Sequence, residues 1–161
     1  MKKTLGCILL LLVLASGIAV SENKAGLNKL GIVIGYPSGL SYSYNFTKKD
    51  QLDLTAAYWY WSRNSSINLA IGYLRTIVEP RINSTVCPLE LGAGLEVNPS
   101  IDSSNTIHMR MGVYADLRWE IFFASAPSFN IFLDFAPRVH FWNSGIGFSA
   151  PRGGLGVRIA F

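Results

Sequence analysis

Three features that stabilise or anchor many proteins are scarce in this chain of 161 residues: cysteine, lysine beyond residue 49, and long apolar runs after residue 21. The chain holds two cysteines, and because Cys7 lies in the segment predicted below to be removed as a signal peptide, Cys87 is left without a cysteine partner for a disulfide that could stabilise the fold. No apolar stretch after residue 21 approaches the roughly 20 residues of a membrane-spanning helix. Residues 22–161 hold 12 basic and 10 acidic residues, and so weak a basic excess gives no case for nucleic acid binding.

A secretory signal peptide is predicted over residues 1–21. Residues 1–3 are Met-Lys-Lys, residues 5–20 form an apolar run, and Ala19-Val20-Ser21 supplies the small residues that precede a cleavage site. Ala15-Ser16-Gly17 is an alternative cleavage site. The signal peptide indicates export, and residues 22–161 are left as one domain.

The fifteen residues from Ile107 to Ile121 alternate between two kinds of side chain without interruption. Successive side chains of a strand point to opposite faces, so the pattern predicts a strand with one uncharged and one ionic face. Soluble strands commonly have about 5 to 6 residues, whereas a tilted strand crossing a bilayer needs about 9 to 11. The uncharged face carries Ile107, Met109, Met111, Val113, Ala115, Leu117, Trp119 and Ile121. The other face carries His108, Arg110, Gly112, Tyr114, Asp116, Arg118 and Glu120.

Seven further segments show the same period of two between turn-forming residues. We expect a bulge or the membrane edge near Arg75, where the alternation breaks, and a bulge or distorted pairing at Pro137, which lacks an N–H donor. An even number of strands lets the chain run up and down. The fold class is therefore all-β, an eight-stranded antiparallel up-and-down transmembrane β-barrel. The predicted strands are Lys29–Tyr36, Gly39–Thr47, Gln51–Trp61, Ile67–Val78, Val86–Val97, Ile107–Ile121, Phe129–Trp142 and Gly154–Phe161.

Alternation alone leaves open which face points inward, because a soluble barrel turns its apolar face in and a membrane barrel turns it out. Three observations favour the membrane. Lysine, which protects water-facing sheet edges, is absent after Lys49. Small residues suited to a narrow interior lie on the charged face: Ala57, Ala70, Gly72, Gly92, Gly94, Gly112, Ala136, Gly154 and Gly156. Aromatic residues suited to membrane interfaces lie near the ends of the apolar face: Tyr36, Phe46, Tyr58, Tyr60, Trp119, Phe141 and Phe161.

In this orientation six acidic residues and four arginines point into the barrel. An eight-stranded barrel has room for side chains but hardly for a channel, and buried charges persist when they are paired. The set predicts a self-neutralising polar plug, with an ion pathway or catalytic site as the alternative. The predicted lumen network comprises Asp53, Glu90, Glu96, Arg110, Asp116, Arg118, Glu120, Asp134, Arg138 and Arg158.

Several stretches resemble small OmpA/OmpX-type outer-membrane barrels, and in particular an uncharacterised OmpA-like family known from spirochaetes and other bacteria. They are Gly-Tyr-Pro-Ser-Gly-Leu-Ser at 35–41, Phe-Leu-Asp-Phe-Ala-Pro at 132–137 and the ending at 154–161. The resemblance covers nearly the whole of residues 22–161 and implies the outer membrane of a diderm, Gram-negative envelope. Unlike full-length OmpA, the sequence is expected to have no peptidoglycan-binding domain. The C-terminal residues resemble the signal read by the outer-membrane assembly machinery: Leu155, Val157, Ile159 and Phe161.

Catalysis and metal binding have weak support in the sequence. His108 or His140 with Ser100, Ser103 or Ser144 and an acid could build an acyl-transfer site, but no nucleophile motif accompanies them. The histidine spacing matches no metal-ligand motif. We therefore predict no catalytic residues, no bound metal and no cofactor.

The predicted function is that of a monomeric outer-membrane barrel, not an enzyme, with a structural role or a surface-interaction role for its loops. With both chain ends periplasmic, loops 62–66, 98–105 and 143–153 face outward and are the expected site for an extracellular ligand. The other expected partners are outer-membrane lipid and the assembly machinery. Two alternatives stay open: a lipid-modifying outer-membrane enzyme and a soluble ligand-binding barrel.

Overall fold

The structure is a computed structural model that describes residues 27–61, 64–82, 85–101, 104, 106–142 and 145–161. The predicted signal peptide lies outside the described residues. Within them the chain forms ten strands: β1 (Leu27–Tyr36), β2 (Gly39–Asn45), β3 (Asp50–Trp61), β4 (Asn64–Val78), β5 (Arg81–Ile82), β6 (Thr85–Val86), β7 (Leu89–Ile101), β8 (Ile107–Phe123), β9 (Ala126–Trp142) and β10 (Gly145–Ala160).

The eight long strands close into one antiparallel barrel. Around the barrel the order is β1, β2, β3, β4, β7, β8, β9 and β10, and β10 pairs with β1 to complete the ring. Each long strand therefore lies beside its neighbours in the chain, which is an up-and-down topology. The fold class predicted from the sequence is confirmed. No helix in the described residues is long and apolar enough to span a membrane.

Strand boundaries differ from the predicted ones mainly on the second half of the barrel. The fifth long strand begins at Leu89 instead of Val86 and continues to Ile101, because Val86 belongs to a separate hairpin and Pro88 interrupts the ladder between them. The eighth long strand begins at Gly145 instead of Gly154. The predicted loops 62–66, 98–105 and 143–153 are therefore partly wrong, since residues 64–66, 98–101 and 145–153 are strand.

Two irregularities bend the barrel wall. The alternation in β4 continues past Arg75, which points outward, and the register shifts at Ile77 instead. Pro137 of β9 faces two residues of β10, Ala150 and Pro151, because the register shifts there. The distorted pairing predicted at Pro137 is confirmed, and it follows from a ring nitrogen that cannot donate to the ladder.

Two aromatic rings fill the interior above glycines. Tyr114 lies over Gly94, and Phe132 lies over Gly156, so that a Cβ atom at either glycine would collide with the ring. Both rings are buried, with Phe132 only 1% exposed. An eight-stranded barrel is just wide enough to be filled by side chains, and small residues on one wall make space for large ones opposite.

The β5–β6 hairpin lies at the end of the barrel that holds Leu27 and Phe161, here called the turn end. Val86 pairs with Phe122 of β8, and both side chains are buried together with that of Cys87. The opposite end, the loop end, includes the short connection between β1 and β2 at Pro37, which follows a cis peptide bond. Apolar side chains are thus buried at the turn end.

We expect Gly156→Val to destabilise the barrel, because the added side chain collides with the buried Phe132 ring. Overpacking of this kind costs about 1 to 3 kcal/mol. The temperature at which the folded, fast-migrating form is lost on a gel measures the effect. Ala93→Val, on the outward face, is the matched control, and equal transition temperatures for both variants would contradict the packing.

Candidate functional site

The interior of the barrel is ionic. Six acidic and five basic side chains of the described residues point into it, and each of these residues is at most 6% exposed. They come from six of the eight long strands, and the alternation along each strand turns them inward. The acidic members are Asp53, Glu90, Glu96, Asp116, Glu120 and Asp134, and the basic members are Lys29, Arg118, Arg138, Arg152 and Arg158.

Asp53 is the centre of the main cluster. Its carboxylate accepts hydrogen bonds from Arg118 at 2.6 and 3.2 Å and from Arg158 at 2.5 Å. Two guanidinium groups thus share one carboxylate from the other side of the barrel, and charge-assisted bonds of this type are among the strongest in proteins.

Glu120 extends the cluster toward the turn end. It accepts hydrogen bonds from Arg158 Nη1 at 2.9 Å and from Lys29 Nζ at 2.7 and 3.1 Å. Lys29 is fully buried, and its ammonium lies 5.5 Å from the centre of the Phe122 ring. A buried ammonium requires such partners.

Asp116 and Asp134 lie on the far side of Arg118. Their carboxylates are 3.5 and 3.6 Å from Arg118 Nη2, and Arg152 approaches Asp134 at 4.0 Å while it donates to Thr55. These pairs are longer than those of Asp53, so this part of the cluster is the more weakly bonded.

The guanidinium groups also stack on the interior rings. Arg158 and Arg118 lie 4.0 and 4.9 Å from the centre of the Phe132 ring, and Arg152 lies 4.7 Å from that of Tyr114. Cation–π contacts are strongest where the cation is desolvated. The two rings above the glycines therefore support the charges as well as filling space.

A second cluster lies near the loop end. Glu96 accepts hydrogen bonds from Arg138 at 3.3 Å and from Asn68 at 2.9 Å, and it lies 2.5 Å from Nε2 of His140. The other ring nitrogen of His140, Nδ1, lies 2.5 Å from the hydroxyl of Ser149. A serine, a histidine and a carboxylate are thus connected in series.

A small pocket of about 70 Å³ opens beside this second cluster. Its lining includes Tyr36, Pro37, Asn98, Arg110, Arg138 and His140. β1 ends at Tyr36, opposite Gly153 of β10, so the part of β10 nearer the loop end has no β1 neighbour. The barrel wall is therefore shorter at β1. The pocket gives solvent access to the inner side chains of the loop end.

Nine of the ten residues predicted for the lumen network lie buried in the interior. The exception is Arg110, whose side chain is exposed at the loop end, because β8 there extends past its paired stretch with β9. The prediction missed Lys29 and Arg152 as members of the network, whereas His140 was expected on the lumen face and is buried there. Both missed residues could have been found from the period of two, because residues two apart in a strand share a face. Lys29 lies on the face of Gly31 in β1, and Arg152 lies on the inward face of Gly154 in β10.

The residues considered for catalysis are not brought together as that hypothesis required. His108 is exposed, and Ser100 donates to the backbone carbonyl of His108 at 3.4 Å instead of contacting a ring. Ser103 and Ser144 lie outside the described residues. Within the described part of the chain no group of three or more histidine, cysteine or acidic side chains is arranged to hold a metal ion.

The fold and the charged interior define a small closed antiparallel β-barrel. The N-terminal β-barrel domain of OprF from Pseudomonas aeruginosa shares this fold with a TM-score of 0.53 and 13% identity, over 85% of this chain and 98% of that one. Ail, the attachment invasion locus protein of Yersinia pestis, aligns with a TM-score of 0.34 and 16% identity, over 85% of this chain and 99% of that one.

No protein-family model and no curated protein matches the chain. The likeness to OprF therefore shows the eight-stranded architecture. The narrower OmpA-like family of spirochaetes stays a prediction.

We expect Asp53→Asn to destabilise the barrel strongly, because it leaves Arg118 and Arg158 buried without the carboxylate that they share. Removing one partner of a buried ion pair costs about 3 to 5 kcal/mol. The midpoint of denaturant unfolding in detergent micelles measures the loss. Asp50→Asn, at the turn end, is the control, and the cluster is refuted if both variants unfold at the same midpoint.

Proposed function

We propose that the protein is an integral outer-membrane β-barrel whose lumen is filled by its own charged side chains. One observation carries the proposal, namely that the distribution of side chains is inverted relative to a soluble protein. Charged residues such as Arg118, Arg158 and Glu120 are at most 1% exposed, whereas apolar residues such as Leu95, Leu117 and Leu133 are 43 to 59% exposed. A soluble barrel buries its apolar face, so the inversion argues against a soluble ligand-binding barrel.

The outward face supports contact with lipid on every long strand. A belt of apolar side chains surrounds the barrel, and large exposed apolar surfaces mark interaction sites. Water would leave this surface unfavourably hydrated, while the acyl chains of a bilayer would cover it. The belt includes Ile32, Leu40, Leu54, Ile71, Leu95, Val113, Leu133 and Leu155.

Aromatic side chains near both rims support membrane interfaces there. Tyr36, Tyr58 and Phe141 are exposed toward the loop end, and Phe46, Trp119 and Phe161 toward the turn end. Amphipathic rings favour the headgroup region, and girdles of this kind flank the apolar band of outer-membrane barrels. The side chain of Tyr60, the remaining aromatic residue of the predicted set, lies outside the described part of the structure.

The filled interior supports a structural role in place of transport. The Asp53 cluster spans the lumen, since its members come from β3, β8 and β10. Opening a path for ions would require breaking several buried ion pairs at once. We therefore expect the reconstituted protein to show no steady conductance.

Assembly and location follow from the same proposal. The predicted signal peptide exports the chain, and the C-terminal residues of β10 are recognised by the outer-membrane assembly machinery. Leu155 is exposed, Val157 and Ile159 are half-buried, and Phe161 is exposed, all on the outward side of the strand. The ring of paired strands leaves each barrel complete by itself, which supports a monomer surrounded by outer-membrane lipid.

An extracellular partner would meet the loop end. There β10 extends beyond the end of β1 and carries exposed Ile146 and Phe148, while β8 presents exposed Ile107 and Met109. Since much of the predicted loop sequence is strand, this projecting rim and the short connections provide the surface for an interaction.

We expect Ile71→Arg to impair membrane insertion, because Ile71 lies on the outward face between Leu54 and Leu95. An arginine on the lipid face near the bilayer midplane costs about 2 to 4 kcal/mol. The measurement is the fraction of protein that acquires the heat-modifiable folded form in vesicles. Ile82→Arg, exposed in the β5–β6 hairpin, is the control.

The fractionation of cells that express the full chain tests the proposal itself. We expect the protein to be recovered with outer membranes and to need detergent for release. Recovery in the soluble periplasmic fraction, together with equal folding of Ile71→Arg and Ile82→Arg, would overturn the membrane assignment.

Deletion of Phe161 tests the assembly signal. We expect slower accumulation of the folded form in cells, because the outward terminal aromatic would no longer be available to the machinery. Spontaneous folding of purified protein in detergent measures intrinsic stability separately. An equal loss in both assays would assign Phe161 to stability only.

A further inference from the structure

The series Ser149, His140 and Glu96 at the loop end has the geometry of an activated nucleophile. With a neutral imidazole, Nε2–H donates to Glu96 Oε1 at 2.5 Å, and Nδ1 accepts from the Ser149 hydroxyl at 2.5 Å. A nucleophile within hydrogen-bond reach of a base, which is in turn oriented by a third group, is the arrangement that activates serine. The three residues lie on β10, β9 and β7.

The Glu96 carboxylate is neutralised and hydrogen-bonded by residues other than His140 and Ser149. Arg138 already pairs with Glu96 through Nη1 at 3.3 Å to both carboxylate oxygens, and Asn68 donates to the same carboxylate. The same Asn68 amide also donates to Asn98 Oδ1 at 2.6 Å. The carboxylate is thus held in place by groups other than the histidine, which fixes the orientation of the ring.

The series of Ser149, His140 and Glu96 is reached from the loop end, where the barrel wall is shorter at β1. Ser149 lies on the part of β10 that extends beyond β1, which ends opposite Gly153, and its side chain is only partly buried. The pocket beside His140 has a volume of about 70 Å³. One water molecule needs roughly 10 to 15 Å³ of such a cavity, so the pocket has room for a small group, such as an acetyl group, beside His140 and Arg138.

We propose that Ser149, His140 and Glu96 form a nucleophilic site that hydrolyses short-chain, acetyl-sized esters at the loop end. The inference goes beyond the structural role proposed above and departs from the expectation that the protein is not an enzyme. It also differs from the lipid-modifying alternative, because Ser149 faces inward to His140, away from the outward apolar face that would contact acyl chains.

The chemistry needs only the ester and water. Ser149 Oγ bonds to the carbonyl carbon while its proton passes to His140 Nδ1, and collapse of the tetrahedral intermediate breaks the ester bond and returns that proton to the leaving alcohol. Water, deprotonated by the same nitrogen, then cleaves the acyl-serine and releases the carboxylic acid. Arg138 lies opposite Ser149 in the strand ladder, and its positive charge favours the developing oxyanion.

A fluorophosphonate probe, which modifies activated serines, tests the site in the folded full-length barrel. We expect one adduct, mapped to Ser149 by mass spectrometry, and hydrolysis of p-nitrophenyl acetate far faster than that of the palmitate ester. His140→Gln is expected to lower the rate of labelling by at least about 100-fold, since a general base contributes 10² or more. Glu96→Gln should lower it less, because the carboxylate acts through the ring.

Two controls keep the experiment decisive. Ser149→Ala removes the adduct and the esterase activity, and a heat-modifiable gel shift confirms that the variant is folded. Ser100→Ala, on the other side of the loop end, leaves labelling unchanged. No adduct on the folded protein, or equal labelling of wild type and His140→Gln, overturns the proposal and reduces the series to a structural network.

Discussion

The mutual neutralisation of charges inside a closed sheet is the interaction on which this structure depends. Six carboxylates and five basic side chains are withdrawn from water, and each would be prohibitively costly there alone. Asp53 between Arg118 and Arg158, and Glu120 between Arg158 and Lys29, connect opposite walls of the barrel. The strands must keep their register for these pairs to form, because a slip of one residue would move every charge to the outward face.

The rest of the molecule follows from this interior. With the polar side chains inside, the period of two turns the apolar side chains out, which suits a lipid environment and no other common one. Glycines give space to the Phe132 and Tyr114 rings, which in turn contact the guanidinium groups. The outward apolar belt and the inward charged side chains are therefore two consequences of one alternating pattern.

Much of this architecture could be predicted from the sequence, because parity along a strand decides the face of each side chain without knowledge of its neighbours. The predicted faces of β8 agree with the structure from Met111 to Ile121. Strand ends were harder to predict. Residues 143–153, which contain Pro151, were interpreted as a loop, although β10 begins at Gly145 and turns Arg152 inward. The series of Ser149, His140 and Glu96 could not be predicted, since it depends on pairing between distant strands and on the register shift opposite Pro137.

Quenching by lipid acyl chains tests the central claim most directly. A bimane label on Leu54→Cys, in a Cys87→Ala background, would lie on the outward face of β3, whereas a label on Lys48→Cys would lie at the exposed turn. In vesicles of phospholipid brominated along its acyl chains, we expect strong quenching at position 54 and little at position 48. Equal, weak quenching at both positions, with aqueous iodide reaching both labels, would contradict the inverted arrangement of the barrel.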